Sequence, residues 1–457
     1  MTRLRKRLKK FKGAVKTAVL KRKRFVRALQ TLVTLYLAIV GAYWVIFEPI
    51  THFKEEFLKA KLGGYWWIVI YVLPAPVACV AAFHRYKHYL WQILDEFNYK
   101  TAKVIDGAQL TITSTGKSFD RREVQTVESQ LELGRAVLIT GDSGTGKTGI
   151  GVAVTRCAQA NKQRVLLIDA RQVQHLEDEY SLRQFYKCEK PLSQEIAALG
   201  PDFRLVIDQL DNVVGKRISD VLISLAIDCS KLEDIEVVVI SRNREAHEAK
   251  LLDKLQQEDF VEIKCRELDE REVEKELQRL SFAHVGDKLL SMCKNLLNLE
   301  ILSAIKTEDP LFNPTDVEDE VALWEKYLDT LQNRESVHAG FDAAEQTINE
   351  AMKLAVESLT SDSQLVELEH PVSLSQRTLI SWGIIFHESG VRYRFKHEKL
   401  QDYLFARYAA DHEYMPLEVL HKIGPVKSRN VHVWLDELYR HRKSPLHIRF
   451  LESVLNG

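Results

Sequence analysis

A chain of 457 residues with 46% apolar side chains has enough material for roughly two to four domains with real cores, which excludes a disordered or fibrous protein. Lys plus Arg equals Asp plus Glu at 64 each, but residues 1–27 hold thirteen of the basic side chains and no acid, so the remaining body carries a net charge of −13. An acidic body lacks the positive footprint that a phosphate backbone requires, which disfavours nucleic acid as a partner, and six scattered cysteines without a C-x-x-C pair argue against zinc and against a disulfide framework.

After the basic tail (1–27) come two uncharged runs, Ala28–Phe47 and Tyr65–Phe83, of twenty and nineteen residues. As helices rising about 1.5 Å per residue, each reaches across a hydrocarbon core of about 30 Å. Glu48–Gly64 between them balances three acids with three lysines, whereas basic residues precede the first run and His84-Arg-Tyr-Lys-His88 follows the second. The positive-inside rule then predicts a transmembrane α-hairpin over 28–83 (spans 28–47 and 65–83) with both ends in the cytoplasm. Tyr43, Trp44, Phe47, Tyr65, Trp66 and Trp67 form its aromatic belt at the far interface. A signal peptide leaves the second run unexplained, and a buried core hairpin rarely carries bulky aromatics at matching ends. Pro74 and Pro76 are placed to kink the second span. The tail suits anionic lipid headgroups as well as a solvated flank. Residues 84–114 read as a linker, helical from His88 to about Gly107.

Residues 115–265 alternate apolar strands with helical segments, the pattern of a three-layer α/β domain with a mainly parallel sheet. Arg135–Thr140 is a β-prone run, Gly141-Asp142-Ser143-Gly144-Thr145-Gly146-Lys147-Thr148 follows without a gap, and Gly149–Ala158 reads as a helix. This is the G-x-x-x-x-G-K-[ST] loop in strand–loop–helix context. Its glycines let backbone N–H groups wrap phosphates, and the helix N-terminus faces the negative charge. Lys147 is the candidate for the β- and γ-phosphates and Thr148 for Mg2+. A further strand, Arg164–Asp169, precedes Phe203–Asp208, which ends in an acid 61 residues beyond Lys147 and places Asp208 to hold Mg2+ through water. A buried strand with a terminal turn acid is the plainer alternative. Ile235–Ile240 is followed by Ser241 and Arg242, which puts Arg242 at a strand's carboxyl end, where a γ-phosphate would lie. Phe260–Cys265 closes the series.

Asp208-Gln-Leu-Asp211-Asn212 resembles the extended Walker B segment of STAND NTPases, in particular their NACHT branch. Val239-Ile-Ser241-Arg242 is similar to that family's sensor strand, and Phe119-Asp-Arg-Arg122-Glu123 resembles its motif near adenine. Leu323-Trp-Glu-Lys-Tyr327-Leu and Phe395-Lys-His397-Glu-Lys-Leu-Gln401-Asp-Tyr403-Leu404 are similar to its helical region and winged-helix end, so the resemblance spans about residues 115–410. It implies an ATP/ADP switch with Mg2+, whose closed form holds ADP between sheet and winged helix. Arg122 would then lie near the base, His397 would touch the β-phosphate and Asp211 would position the attacking water. From its residues alone, His397 reads as a helix-start histidine satisfied by backbone. Asn212 stands where the family usually has glutamate, and Gln209 follows the Walker B acid, where a motor ATPase has its carboxylate base. Slow hydrolysis is therefore expected. Asn295-Leu296 replaces a family proline against adenine and leaves base specificity open.

Residues 266–345 read as a helical domain with Val273, Leu277 and Leu280 on its apolar face, and 346–410 as a winged-helix-like domain with Gly390 in a hairpin turn. Residues 411–457 read as a short tail with no internal period, where the resembled family usually carries a long repeat array as sensor, so the resemblance implies sensing through that tail, the hairpin or a separate sensor protein. The fold expectation is an α/β P-loop NTPase followed by helical and winged-helix domains, with an N-terminal transmembrane α-hairpin. The functional expectation is a membrane-anchored signalling switch that forms a homo-oligomer on activation and clusters its hairpin in membrane lipid, as in prokaryotic defence systems. A membrane-tethered AAA+-type motor and a nucleotide-stabilised membrane scaffold stay open beside it.

Overall fold

The structure, a computed structural model, describes residues 74–107, 121–242, 251–282, 286–361, 365–369 and 371–456. The chain forms two compact units, residues 1–93 and 94–457, each taken by itself. The first span expected from the sequence (28–47) and the beginning of the second (65–73) lie outside the described residues. Helix α1 (Pro74–Gly107) is unbroken through 84–88, where the change from apolar to basic residues marked a boundary between span and linker. Charge changes there, but no glycine or proline interrupts residues 77–106, so the backbone has no reason to break. Pro74 and Pro76, expected to kink the second span, are the first and third described residues of this helix, and the residues before them lie outside the described residues. Among the described residues no helix is long and apolar enough to cross a membrane.

In the second unit, α2 (Arg122–Glu132) leads into β1 (Val137–Thr140), α3 (Lys147–Ala160), β2 (Arg164–Asp169), β3 (Phe203–Asp208), α4 (Arg217–Ser230), β4 (Ile235–Ile240) and β5 (Val261–Lys264). The strands form one parallel sheet in the order β2-β3-β4-β1-β5. β1 and β3 are buried along their whole length, which is why they read as continuous apolar runs rather than alternating ones. Val127 and Leu131 of α2 and Ile150, Val152 and Val154 of α3 pack into this core with Val137, Ile139, Val206 and Ile240. β2 is an edge strand, and α1 shields it. The Thr101 hydroxyl accepts from Leu167 N (3.0 Å) and donates to Val165 O (3.5 Å), replacing a missing strand neighbour.

The carboxyl-terminal region is mainly helical. It comprises α5 (Glu270–Arg279), α6 (Leu296–Glu308), α7 (Glu320–Ala339), α8 (Phe341–Thr360), β6 (Val366–Glu367), α9 (Leu374–Ser381), β7 (Ile385–Ser389), β8 (Arg392–Phe395), α10 (Glu398–Asp411), α11 (Pro416–His441) and α12 (Leu446–Asn456). The three strands form a small antiparallel sheet, β6-β8-β7, with Gly390 at φ +58° between β7 and β8. One apolar core runs from Leu268 to Phe450 through all these helices. The region 411–457, expected as a tail, instead contributes its helices α11 and α12 to this core. Trp434, Leu435, Leu438 and Tyr439 lie on one face of α11, and Trp434 packs edge-on against Trp324 (6.1 Å) and Tyr403 (5.3 Å).

One buried charge escapes sequence inspection. Arg204 sits inside β3, where its guanidinium donates to Glu128 of α2 (2.6 and 2.9 Å), to Glu236 of β4 (2.8 Å) and to Val154 O of α3 (2.7 Å). It is 1% exposed and ties β3 to β4 and to both helices packed on that face of the sheet. Arg204→Ala strands two carboxylates beside apolar packing and is expected to cost on the order of 3 kcal/mol. The check is the shift in the urea unfolding curve of the sheet.

Candidate functional site

The glycine loop lies between β1 and α3, at the carboxyl end of the sheet. Gly144 (φ +81°) and Gly146 (φ +91°) adopt the left-handed backbone that glycine allows, and neighbours crowd both. A Cβ on Gly144 would fall 2.3 Å from Asn295 Oδ1, and one on Gly146 would fall 3.0 Å from Leu296 Cδ2. The start of α6 is thus seated on the loop. Asn295 Nδ2 donates to Ser143 O (2.9 Å), Asn295 Oδ1 caps Leu297 N (3.1 Å), and Leu297 N also approaches Gly144 O (3.3 Å). Thr145 Oγ1 donates to Asp142 O (2.8 Å), and Lys147 Nζ folds back onto Gly141 O (2.8 Å) and Asp142 O (2.6 Å). Burial draws the Lys147 pKa below the ordinary lysine value; Asp211 opposes the effect and Arg242 adds to it.

Asp208 ends β3 directly opposite Asp169, which ends β2. Burial, reinforced by the charge of Asp169, pushes Asp208 up to about 6. Asp169 goes the other way, because Arg171 and Arg394 more than offset its burial and hold it well below the carboxylate range. Asp208 Oδ1 is buried without a hydrogen-bond partner among the described residues. An orphaned carboxylate oxygen beside the Thr148 hydroxyl fits a divalent cation, so Thr148 and Asp208 would hold Mg2+ here. Gln209 follows with φ +60°, and its amide points to Thr148 Oγ1 (3.5 Å). Asp211 accepts from the Arg242 backbone N (3.1 Å) and from Arg242 Nε (3.2 Å).

The segment joining β8 to α10 closes this end of the sheet. Arg394 Nη1 binds Asp169 Oδ2 (3.0 Å), Lys396 Nζ binds Glu300 Oε1 (2.8 Å), and His397 Nε2 lies 3.8 Å from the same Glu300 oxygen. Glu398 pairs with Arg242 and accepts from Asn212 Nδ2 (3.0 Å). A cavity of about 400 Å³ remains, lined by the glycine loop, Asp208, Asp211, Arg242, Leu296 and the Lys396–Lys399 run. Lys147, Thr148, Asp208, Asp211, Arg242 and His397 therefore meet at one cavity.

Arg122 does not join them. Its side chain is 82% exposed and faces Asp269 (3.7 Å) and Glu272 (3.9 Å), whereas its neighbour Arg121 lines the cavity and donates to Glu123 (2.9 Å) and Cys265 Sγ (3.3 Å). Arg122 is the first residue of α2, so the turn that starts the helix decides which of the two arginines faces inward. Arg171 and Glu398 are site residues that the sequence reading missed, and Asn295, read there only as a replacement for a proline against the base, also holds the glycine loop. Arg171 was accessible by the reasoning that found Arg242, since both follow an apolar strand of the same sheet.

No family model matches the chain, and no curated protein matches it. Solved structures do. The Aeropyrum pernix Orc1 protein in complex with DNA aligns at 14% identity over 64% of this chain and 92% of its own, with a TM-score of 0.34. AMPPCP-bound DnaA from Aquifex aeolicus aligns at 10% identity over 75% and 96%, with a TM-score of 0.33. A Pyrococcus horikoshii STAND protein with a tetratricopeptide-repeat sensor aligns at 11% identity and a TM-score of 0.35 over 72% of this chain, which spans half of that protein. At this depth the strand order and the phosphate loop, rather than any one neighbour, define the fold.

Glu300 offers a pH test of the closed segment. Burial disfavours its ionisation, but His397 and Lys396 outweigh this and bring it down to about 2. Its stabilising contribution is complete above the ordinary carboxylate range and fades as pH falls toward about 2. Glu300→Gln is expected to cost on the order of 2–3 kcal/mol near pH 6 and less than half of that near pH 3, read from unfolding curves at the two pH values.

Proposed function

We propose that this protein is an ATP/ADP switch of the NACHT/STAND type. The observation that carries the reading is the shared cavity: Lys396, His397 and Glu398, from the carboxyl-terminal region, line the same space as the glycine loop and Asp208. A scaffold that only stores nucleotide has no need of a second element latched over the phosphates. A motor needs a carboxylate base after its Walker B acid, and Gln209 stands there instead. In this reading the β6–β8 sheet with α9 and α10 is the winged helix, and the closed arrangement retains ADP. Lys147 recognises the phosphates and His397 approaches them from the latch. Bound Mg2+, held by Thr148 and Asp208, neutralises phosphate charge. Asp211 and Arg242 stand where a terminal phosphate and an attacking water would lie.

Opening of the latch exchanges ADP for ATP and exposes surfaces for homo-oligomerisation. The uncharged runs 28–47 and 65–83 anchor the chain in membrane lipid, with the basic tail and the nucleotide domain on the cytoplasmic side, and clustering of these hairpins is the output. A role in prokaryotic defence or stress signalling fits such an output, with a separate sensor protein as the trigger.

The test is the nucleotide carried by the detergent-solubilised full chain, released by denaturation and separated by chromatography. About one ADP per chain is expected from the native protein and none from Lys147→Ala. A native protein with an empty site and rapid ATP turnover would refute the switch in favour of a motor.

A further inference from the structure

The Glu398 carboxylate is unusually well provided with donors for the first residue of a helix. One oxygen pairs with the Arg242 guanidinium. The other accepts from Asn212 Nδ2 at 3.0 Å and lies 3.8 Å from Arg171 Nη1. The two arginines follow β4 and β2, the strands that flank β3 and its Asp208. They approach from both sides of the Walker B strand, and Glu398 takes the place between them. Its side chain is 19% exposed, and it lines the cavity together with Lys147, Thr148 and Asp208.

Phosphate and carboxylate are interchangeable guests for a guanidinium: both accept its parallel N–H donors and both carry negative charge. A diphosphate ends within reach of the glycine loop and Lys147 and leaves Glu398 on its arginines. A triphosphate extends a terminal phosphoryl group of about −1.5 to −2 charge toward Arg242, where it meets a carboxylate already there. Both anions cannot share the same donors. We infer that Glu398 is a built-in surrogate for the γ-phosphate, which makes this closed arrangement selective for nucleoside diphosphates and obliges a triphosphate to evict the latch. Asn212 gains a role here as well: its amide donates to Glu398, whereas a glutamate at this position would repel it.

The inference rests on the proposed nucleotide site, and the test separates the two. Affinities of full-length, detergent-solubilised protein for ADP and for the non-hydrolysable analogue AMPPCP are measured by competition against a fluorescent nucleotide. Native protein is expected to prefer ADP at least tenfold. Glu398→Gln, which keeps the shape but removes the charge, is expected to reduce that ratio at least tenfold. In an Arg242→Gln background the same change is expected to move the ratio far less, because the contested donor is gone. An unchanged ratio in Glu398→Gln, or an equal change in both backgrounds, overturns the surrogate role even if ADP still binds. Absence of binding by either nucleotide to native protein overturns the site itself. Glu398→Asp, which retains the charge on a shorter arm, guards against misfolding of the Gln variant. It is expected to keep a preference for ADP, and its loss there would count against the inference.

Discussion

The structure turns on a set of ion pairs at the carboxyl ends of the parallel strands. Asp169 and Asp208 stand side by side there, buried, with Arg171 beside them and Arg242 beyond. Two adjacent carboxylates in low dielectric cannot both ionise without counter-charge. Arg171 and Arg394 neutralise Asp169, which leaves Asp208 as the member with the raised pKa and with one oxygen unpartnered among the described residues. Because Arg394 comes from the carboxyl-terminal sheet, charge balance at the cavity depends on an element 225 residues away. Packing of that sheet and the electrostatics of the site are therefore linked through one ion pair.

The same pairs reach outward to α1. Glu388 of β7 binds Arg394 Nε (2.9 Å) through its carboxylate, and its backbone carbonyl accepts from Lys103 Nζ (2.9 Å). Thr101, one half-turn earlier in the same helix, holds the edge of β2. A contiguous run of contacts therefore joins Lys103 to Glu388, Arg394, Asp169, Arg171, Glu398 and Arg242. This run connects the helix at the sheet edge to the cavity through side chains in direct contact.

Much of the nucleotide domain was legible before any coordinates. The strands at Arg164–Asp169, Phe203–Asp208 and Ile235–Ile240 stand out because strands buried on both faces leave continuous apolar runs bounded by polar turns. The loop from Gly141 to Thr148 is legible because phosphate binding imposes a local backbone demand that only a narrow set of residues meets. Arg121 and Arg122 mark the limit of such reading. They are neighbours of one type, and only the phase of the following helix separates the inward one from the exposed one. The carboxyl-terminal helices passed for a tail because the apolar face of α11 acquires meaning only against Trp324 and Tyr403, more than thirty residues away, and α12 in turn packs on α11 through Phe450.

By itself, the sequence determined what is local: a glycine-rich loop set between strand and helix, an acid at the end of an apolar strand, an arginine at the end of another, and an acidic body behind a basic tail. Each follows from backbone sterics or burial within a few residues. Tertiary structure alone decided which distant charges meet. Asn295 lies 152 residues from the loop carbonyl it holds, and Glu398 lies 156 residues from Arg242. No periodicity records such partnerships, because a buried ion pair depends on distance and desolvation in the folded state and leaves no mark on its neighbours in the chain.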